Sequence, residues 1–124
     1  MPRILVVEDE ALIAILVADW LVELGCETAG PVRTVAEALA LVGGGELDGA
    51  ILDVSLDGDD SFAVADALRA RGVPFAFATG HGVGSVAERF KDAPTLVKPF
   101  DFARVREAIA AMLDRGVAAS RSAS

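Results

Sequence analysis

The residues with chemical potential sit where apolar runs end. Arg3-Ile4-Leu5-Val6-Val7 leads directly into Glu8, Asp9 and Glu10. Gly49 to Leu52 leads into Asp53, Phe75 to Ala78 into Thr79, and Thr95 to Val97 into Lys98. The set is several carboxylates, one hydroxyl and one ammonium. Crowded carboxylates repel one another and raise each other's pKa unless a cation is present. Lys98 brings one positive charge. A hard divalent ion such as Mg²⁺, held by one or two carboxylates, a carbonyl and waters, would bring the rest. A carboxylate flanked in this way can attack phosphorus and become an aspartyl phosphate, with metal and ammonium offsetting the charge on the three transferring oxygens. The Thr79 hydroxyl is placed to hydrogen-bond one of those oxygens. The chemistry that unites these residues is phosphoryl acceptance.

The elements that must position them follow from the hydrophobic pattern. Ile4 to Val7 is continuously apolar, as a strand covered on both faces should be. Ala11 to Leu24 reads as a helix closed by Gly25, and Glu27 to Val32 as an edge-like strand interrupted by Gly30-Pro31. Thr34, with Glu37 three residues on, predicts a capped helix that stops at Gly43-Gly44-Gly45. Gly49 to Val54 is the third strand, followed by a polar loop from Ser55 to Asp60 and a helix from Ser61 to Arg71. Phe75 to Thr79 is the fourth strand, Gly80 to Gly84 a loop, and Ser85 to Lys91 a short helix. Thr95 to Val97 is the fifth strand. Asp101 caps a last helix ending near Arg115, with a frayed tail over residues 116–124. Five strands, each followed by a helix, predict an α/β fold with a parallel sheet and helices on both faces. Sites in such sheets lie at the carboxyl ends of the strands, where every residue of the set is found.

Composition narrows the function. The chain has 124 residues, 19 acidic against 11 basic, and a formal charge of −8. That length fits one domain, assigned to residues 1–115 with 116–124 as tail. The acidity argues against nucleic acid and anionic membranes as partners, because both need a basic surface. A lone cysteine, Cys26, excludes an intrachain disulfide and fits a reducing, cytoplasmic setting. The N-terminal apolar stretch is too short for a signal peptide or a membrane span. Asp53 to Gly58 imitates the start of an EF-hand loop, but its twelfth position is Val64 where a bidentate Glu is needed. The first strand turn carries three acids and so lacks the bare N–H groups of a dinucleotide loop.

Glu8-Asp9, Asp53, Thr79 and Lys98-Pro99-Phe100, in this order and spacing, resemble the response-regulator receiver domain of two-component signalling. The resemblance covers Arg3 to Leu113. It implies a flavodoxin-like (βα)5 three-layer sandwich with sheet order 2-1-3-4-5. It makes Asp53 the phosphoacceptor and assigns Mg²⁺ to Glu8, Asp9, Asp53 and the backbone carbonyl of Ser55. Thr79 and Lys98 would contact the phosphoryl group, and the Lys98-Pro99 bond would be cis. The phosphodonor would be a sensor histidine kinase or a histidine phosphotransfer protein. The output would then be protein contact or use as a phosphate sink, with the receiver standing alone. Two departures stand out. Thr95 occupies the place of an aromatic switch residue, and the loop after Asp53 lacks the usual Leu-Pro. Phe77-Ala78-Thr79-Gly80 is similar to a subgroup of single-domain receivers with a Phe-Ala-Thr-Gly-X-Tyr motif. In this reading the loop Gly80 to Gly84 carries the conformational change.

Two further features bear on function. His81, the single histidine, lies two residues past Thr79, where the family tunes phosphoryl lifetime. The first helix is apolar all round. In the receiver register Leu12, Ile13, Leu16, Val17, Trp20 and Leu24 face the sheet, while Ala14, Ile15, Ala18 and Val22 point outward as a surface for a kinase, a phosphotransfer protein or a second copy. Two other classes remain open: a Mg²⁺-dependent phosphatase or phosphotransferase of similar topology, and a receiver-like scaffold that is never phosphorylated.

Overall fold

The computed structural model describes residues 1–56, 58–80 and 86–123, and side-chain surroundings as far as Asp114. Strands β1 (Arg3–Val7), β2 (Glu27–Val32), β3 (Gly49–Asp53), β6 (Phe75–Thr79) and β7 (Thr95–Val97) form one five-stranded sheet. A hairpin of two short strands, β4 (Ser55–Leu56) and β5 (Asp59–Asp60), follows β3. The helices are α1 (Ala11–Glu23), α2 (Val35–Gly44), α3 (Phe62–Ala70) and α4 (Phe102–Ala123), with a 3-10 turn at Glu88–Phe90. The main sheet has order β2-β1-β3-β6-β7 and its pairs are parallel. Counting main-sheet strands alone, this is the 2-1-3-4-5 arrangement of the flavodoxin-like fold.

Strand alternation divides the core into two layers. Leu5, Val7, Ala50, Leu52, Phe75 and Phe77 point to the side of α2 and α3. Ile4, Val6, Ile51, Ala76 and Ala78 point to the side of α1 and α4. Helices on both faces therefore explain why these strands are apolar at every position rather than at every second one. The α2–α3 side holds an aromatic cluster. Phe77 meets Phe62, Phe75 and Phe90 at centroid distances of 5.8, 5.4 and 5.6 Å, each edge-on. On the other side Trp20 of α1 meets Phe102 of α4 edge-on at 6.2 Å.

Local signals behave as their chemistry requires. The Thr34 hydroxyl accepts the Glu37 N–H at 3.2 Å, and the Glu37 carboxylate accepts the Arg33 N–H at 3.3 Å. Gly25 ends α1 with φ +77°. At Gly30, φ is +94° and an added Cβ would lie 2.7 Å from the Val32 amide nitrogen, so glycine is required where the β1–β2 register shifts. The Gly30-Pro31 and Lys98-Pro99 peptide bonds are both cis.

Four expectations are corrected. The polar loop after Asp53 contains the β4–β5 hairpin, turned by Gly58 at φ +89°, and Leu56 within it is buried. The helix expected from Ser85 to Lys91 reduces, among the described residues, to the turn Glu88–Phe90; residues 81–85 lie outside them, and so does most of the Gly80–Gly84 loop. The last helix does not end near Arg115 but continues to Ala123, across the expected tail. The expected facing of α1 is partly reversed. Ala14 is buried with Val17 and Leu21, at spacings of three and four, whereas Leu12 and Leu16 are exposed. Ile15 and Val22 do point outward, and Ala18 is half-buried. The buried stripe is thus Ala14-Val17-Leu21, of which Val17 and Leu21 join the core on that side of the sheet.

Candidate functional site

The parallel register brings four strand ends to one rim. Val7 pairs with Leu52, Asp53 with Ala78, and Thr79 with Val97, so the next residues of neighbouring strands emerge side by side. Backbone bonds hold this edge level: Val54 N–H donates to Ala78 O at 2.9 Å, and Lys98 N–H to Thr79 O at 2.8 Å. Glu8, Asp53 and Thr79 are all buried there.

Lys98 closes the constellation. Its ammonium lies 3.0 Å from Asp53 Oδ2, 3.2 Å from Glu8 Oε2 and 3.3 Å from Glu10 Oε1. Carboxylate oxygens of Glu8, Glu10 and Asp53 fall within 4.8 Å of one another. Asp53 Oδ1 accepts the Ser55 N–H at 3.3 Å, and Glu8 Oε1 accepts the Glu10 N–H at 3.1 Å. A cavity of about 290 Å³ opens on this group, lined by Asp9, Asp53, Ser55, Thr79 and Lys98 among others. An apolar groove of about 390 Å³ adjoins it, lined by Ile13, Leu16, Trp20 and Phe100 and sharing Glu10 and Lys98 with the cavity.

The electrostatics are those of a site short of positive charge. Burial, foremost, pushes the Glu8 carboxyl up to about 7, helped by its hydrogen bond to Asp53 and the Asp53 charge, while Lys98 pulls the other way. Burial also works against the Lys98 ammonium, but the Asp53 hydrogen bond and the charges of Glu8 and Asp53 outweigh it and hold Lys98 above the ordinary lysine range. Three carboxyl groups, those of Glu8, Glu10 and Asp53, thus surround one ammonium, and a fourth, that of Asp9, lines the same cavity. Hard oxygen donors, two of them on buried side chains, fit a hard divalent cation such as Mg²⁺.

Of the residues expected from the sequence, Glu8, Asp53 and Lys98 are in direct contact, and Asp9, Ser55 and Thr79 line the shared cavity. His81 lies outside the described residues. Glu10 was visible as the third acid after β1 but had not been given a place in the site; its bond to Lys98 puts it there. Thr95, at the position of the family's aromatic switch, is half-buried and donates its hydroxyl to Ala93 O at 3.5 Å.

The family profile described as the response regulator receiver domain matches residues 4–110. The chain belongs to the response-regulator receiver family. SdrG from Sphingomonas melonis Fr1 is 51% identical, with 91% of this chain and 97% of that one covered and a TM-score of 0.82. TrrA from Thermotoga maritima, solved in complex with Mg²⁺ and BeF, is 29% identical, with coverage of 91% and 100% and a TM-score of 0.79. The transcriptional regulatory protein TcrA of Mycobacterium tuberculosis is 39% identical over 115 residues, covering 84% of this chain and 44% of TcrA. The receiver thus spans about half the length of the curated relatives it matches. Receivers are signalling domains of two-component systems rather than enzymes in the usual sense. The family binds Mg²⁺ in an acidic pocket and works with histidine kinases or phosphotransfer proteins. Among the described residues, no helix is long and apolar enough to cross a membrane.

Proposed function

We propose that this receiver accepts a phosphoryl group on Asp53 from a phosphohistidine of a sensor kinase or phosphotransfer protein. The observation that carries the reading is the 3.0 Å contact between Lys98 Nζ and the buried Asp53 carboxylate, at the mouth of a cavity that Thr79 also lines. An Asp53 carboxylate oxygen attacks phosphorus, the P–N bond to imidazole breaks, and the imidazole nitrogen leaves with the bonding pair. The Ser55 N–H, donating to Oδ1, leaves Oδ2 on the Lys98 side of the carboxylate. Lys98 then follows the negative charge onto the phosphoryl oxygens, with the Thr79 hydroxyl as a second donor. Glu8, Asp9, Asp53 and the Ser55 carbonyl would hold Mg²⁺, which supplies charge neutralisation for those oxygens. The Mg²⁺ and BeF in TrrA support this assignment.

Phosphodonor access follows from the surface beside the site. Leu12, Ile15 and Leu16 of α1 are exposed. The apolar groove between α1 and the segment Pro99-Phe100 runs up to Lys98. This face docks the histidine-bearing partner, and Ala14 has no part in it. The lone buried Cys26 is consistent with work in the reducing cytoplasm. His81 would tune the phosphoryl lifetime from its place two residues past Thr79. Labelling by phosphoramidate in the presence of Mg²⁺ tests the reading. Wild type is expected to label and Asp53→Asn not to; full labelling of Asp53→Asn would contradict it.

A further inference from the structure

We propose that Glu10 is a positioning residue for Lys98, holding its ammonium before phosphorylation and releasing it when the phosphoryl group arrives. The inference rests on Asp53 being the phosphoacceptor. An ammonium has three N–H donors. Lys98 spends them on three carboxylates, those of Glu8, Glu10 and Asp53. To bond a phosphoryl oxygen it must give one of them up.

The three partners are not equally easy to leave. Glu8 is buried, and its Oε1 also accepts the Glu10 N–H. Losing Lys98 without a metal in place would strand its charge in a low-dielectric setting, and as a Mg²⁺ ligand Glu8 would stay fixed at the rim. Asp53 is buried too, and the incoming group is attached to it. The Glu10 side chain is 63% exposed, so water takes over its carboxylate once the ammonium departs. Glu10 is the releasable partner.

Its local structure agrees. Glu10 occupies the N-cap of α1, where a side-chain acceptor ordinarily satisfies an orphan N–H of the first turn, yet it makes no such bond. Its carboxylate is turned to Lys98 instead. Glu10 also lines both the polar cavity at Asp53 and the apolar groove along α1. A partner seated in that groove would touch the residue that restrains the ammonium.

The test is the phosphorylation rate with phosphoramidate at saturating Mg²⁺. Replacing the carboxylate in Glu10→Gln is expected to speed labelling by about two- to fivefold, the scale of one exposed charge pair. The effect must pass through Lys98. In a Lys98→Ala background, the same substitution is expected to change nothing. Glu10→Asp, which keeps the charge but shortens the reach, is expected to label as fast as Glu10→Gln. An unchanged rate in Glu10→Gln would overturn the inference. So would an equal acceleration with and without Lys98, or a Glu10→Asp rate equal to wild type, since either would mean simple charge repulsion. Should Lys98→Ala label too slowly to measure, the Glu10→Asp comparison alone decides. Asp53→Asn runs beside them: labelling there would sink the underlying assignment, whereas its loss together with an unchanged Glu10→Gln would sink only the role of Glu10.

Discussion

Lys98 Nζ and Asp53 Oδ2 stand 3.0 Å apart across a 45-residue separation in the chain, with both side chains largely withdrawn from water. Breaking a buried pair from one side leaves the other charge uncompensated, at a cost of about 3–5 kcal/mol. In metal-free protein, Lys98→Met is therefore expected to lower the melting temperature. Asp53→Asn removes one of the crowded carboxylates while Lys98 keeps Glu8 and Glu10 as partners, and is expected to raise it. Thermal melts in a chelating buffer check both signs, and a matching fall in the two variants would contradict this view of the rim.

The pH dependence has a definite sign. Glu8 is raised from 4.5 to about 7 in the folded state. Between those values the native protein binds the proton that the unfolded chain has lost. Stability falls with rising pH wherever the native state holds more protons. Metal-free protein should thus lose stability between about pH 4.5 and 7, by at most ~3 kcal/mol on the usual conversion. Mg²⁺ favours the ionised carboxylate, so it should raise the melting temperature more at pH 8 than at pH 5. Denaturant melts across that range, with and without Mg²⁺, measure the difference.

Phe90 closes the aromatic cluster from the segment that follows the fourth main-sheet strand. It is fully buried, near Phe62, Phe75 and Phe77, with the Arg69 and Arg89 guanidinium groups 5.0 and 4.6 Å from its ring centre. Arg69 pairs with Asp92, and Arg89 with Asp66 of α3. These exposed pairs orient the segment, while the buried ring supplies the energy. Phe90→Ala is expected to cost about 3–5 kcal/mol in chemical denaturation, well beyond the effect of Arg89→Ala.

The two sides of α1 make opposite predictions. Ile15→Asp and Leu16→Asp alter an exposed face, so folding and phosphoramidate labelling should persist while transfer from a cognate kinase drops at least tenfold. Ala14→Asp puts a charge at a buried position and should unfold the protein. Circular dichroism and paired labelling assays separate the cases.

That helix also shows where reading the chain stopped short. The strands were legible because covering both faces demands unbroken apolar runs, and the Thr34–Glu37 box announced α2 by its own hydrogen bonds. A helix apolar on every side carries no directional signal, and side-chain size then misleads: bulky Leu12 and Leu16 lie outside while small Ala14 packs inward. The rim residues were legible from their places at strand ends. Glu10 was not, since its role depends on which way a side chain turns at a helix start. The β4–β5 hairpin was hidden in a segment dense in aspartates, with the turn at Gly58 and buried Leu56 as its faint signals. A frayed tail was expected over residues 116–124, yet the helix runs to Ala123.

Everything proposed for the rim depends on Asp53 taking the phosphoryl group. Intact-mass spectrometry after incubation with phosphoramidate and Mg²⁺ tests it most directly. One added phosphoryl mass is expected in wild type, lost when Mg²⁺ is chelated beforehand and absent from Asp53→Asn. An equal mass gain in Asp53→Asn would contradict it.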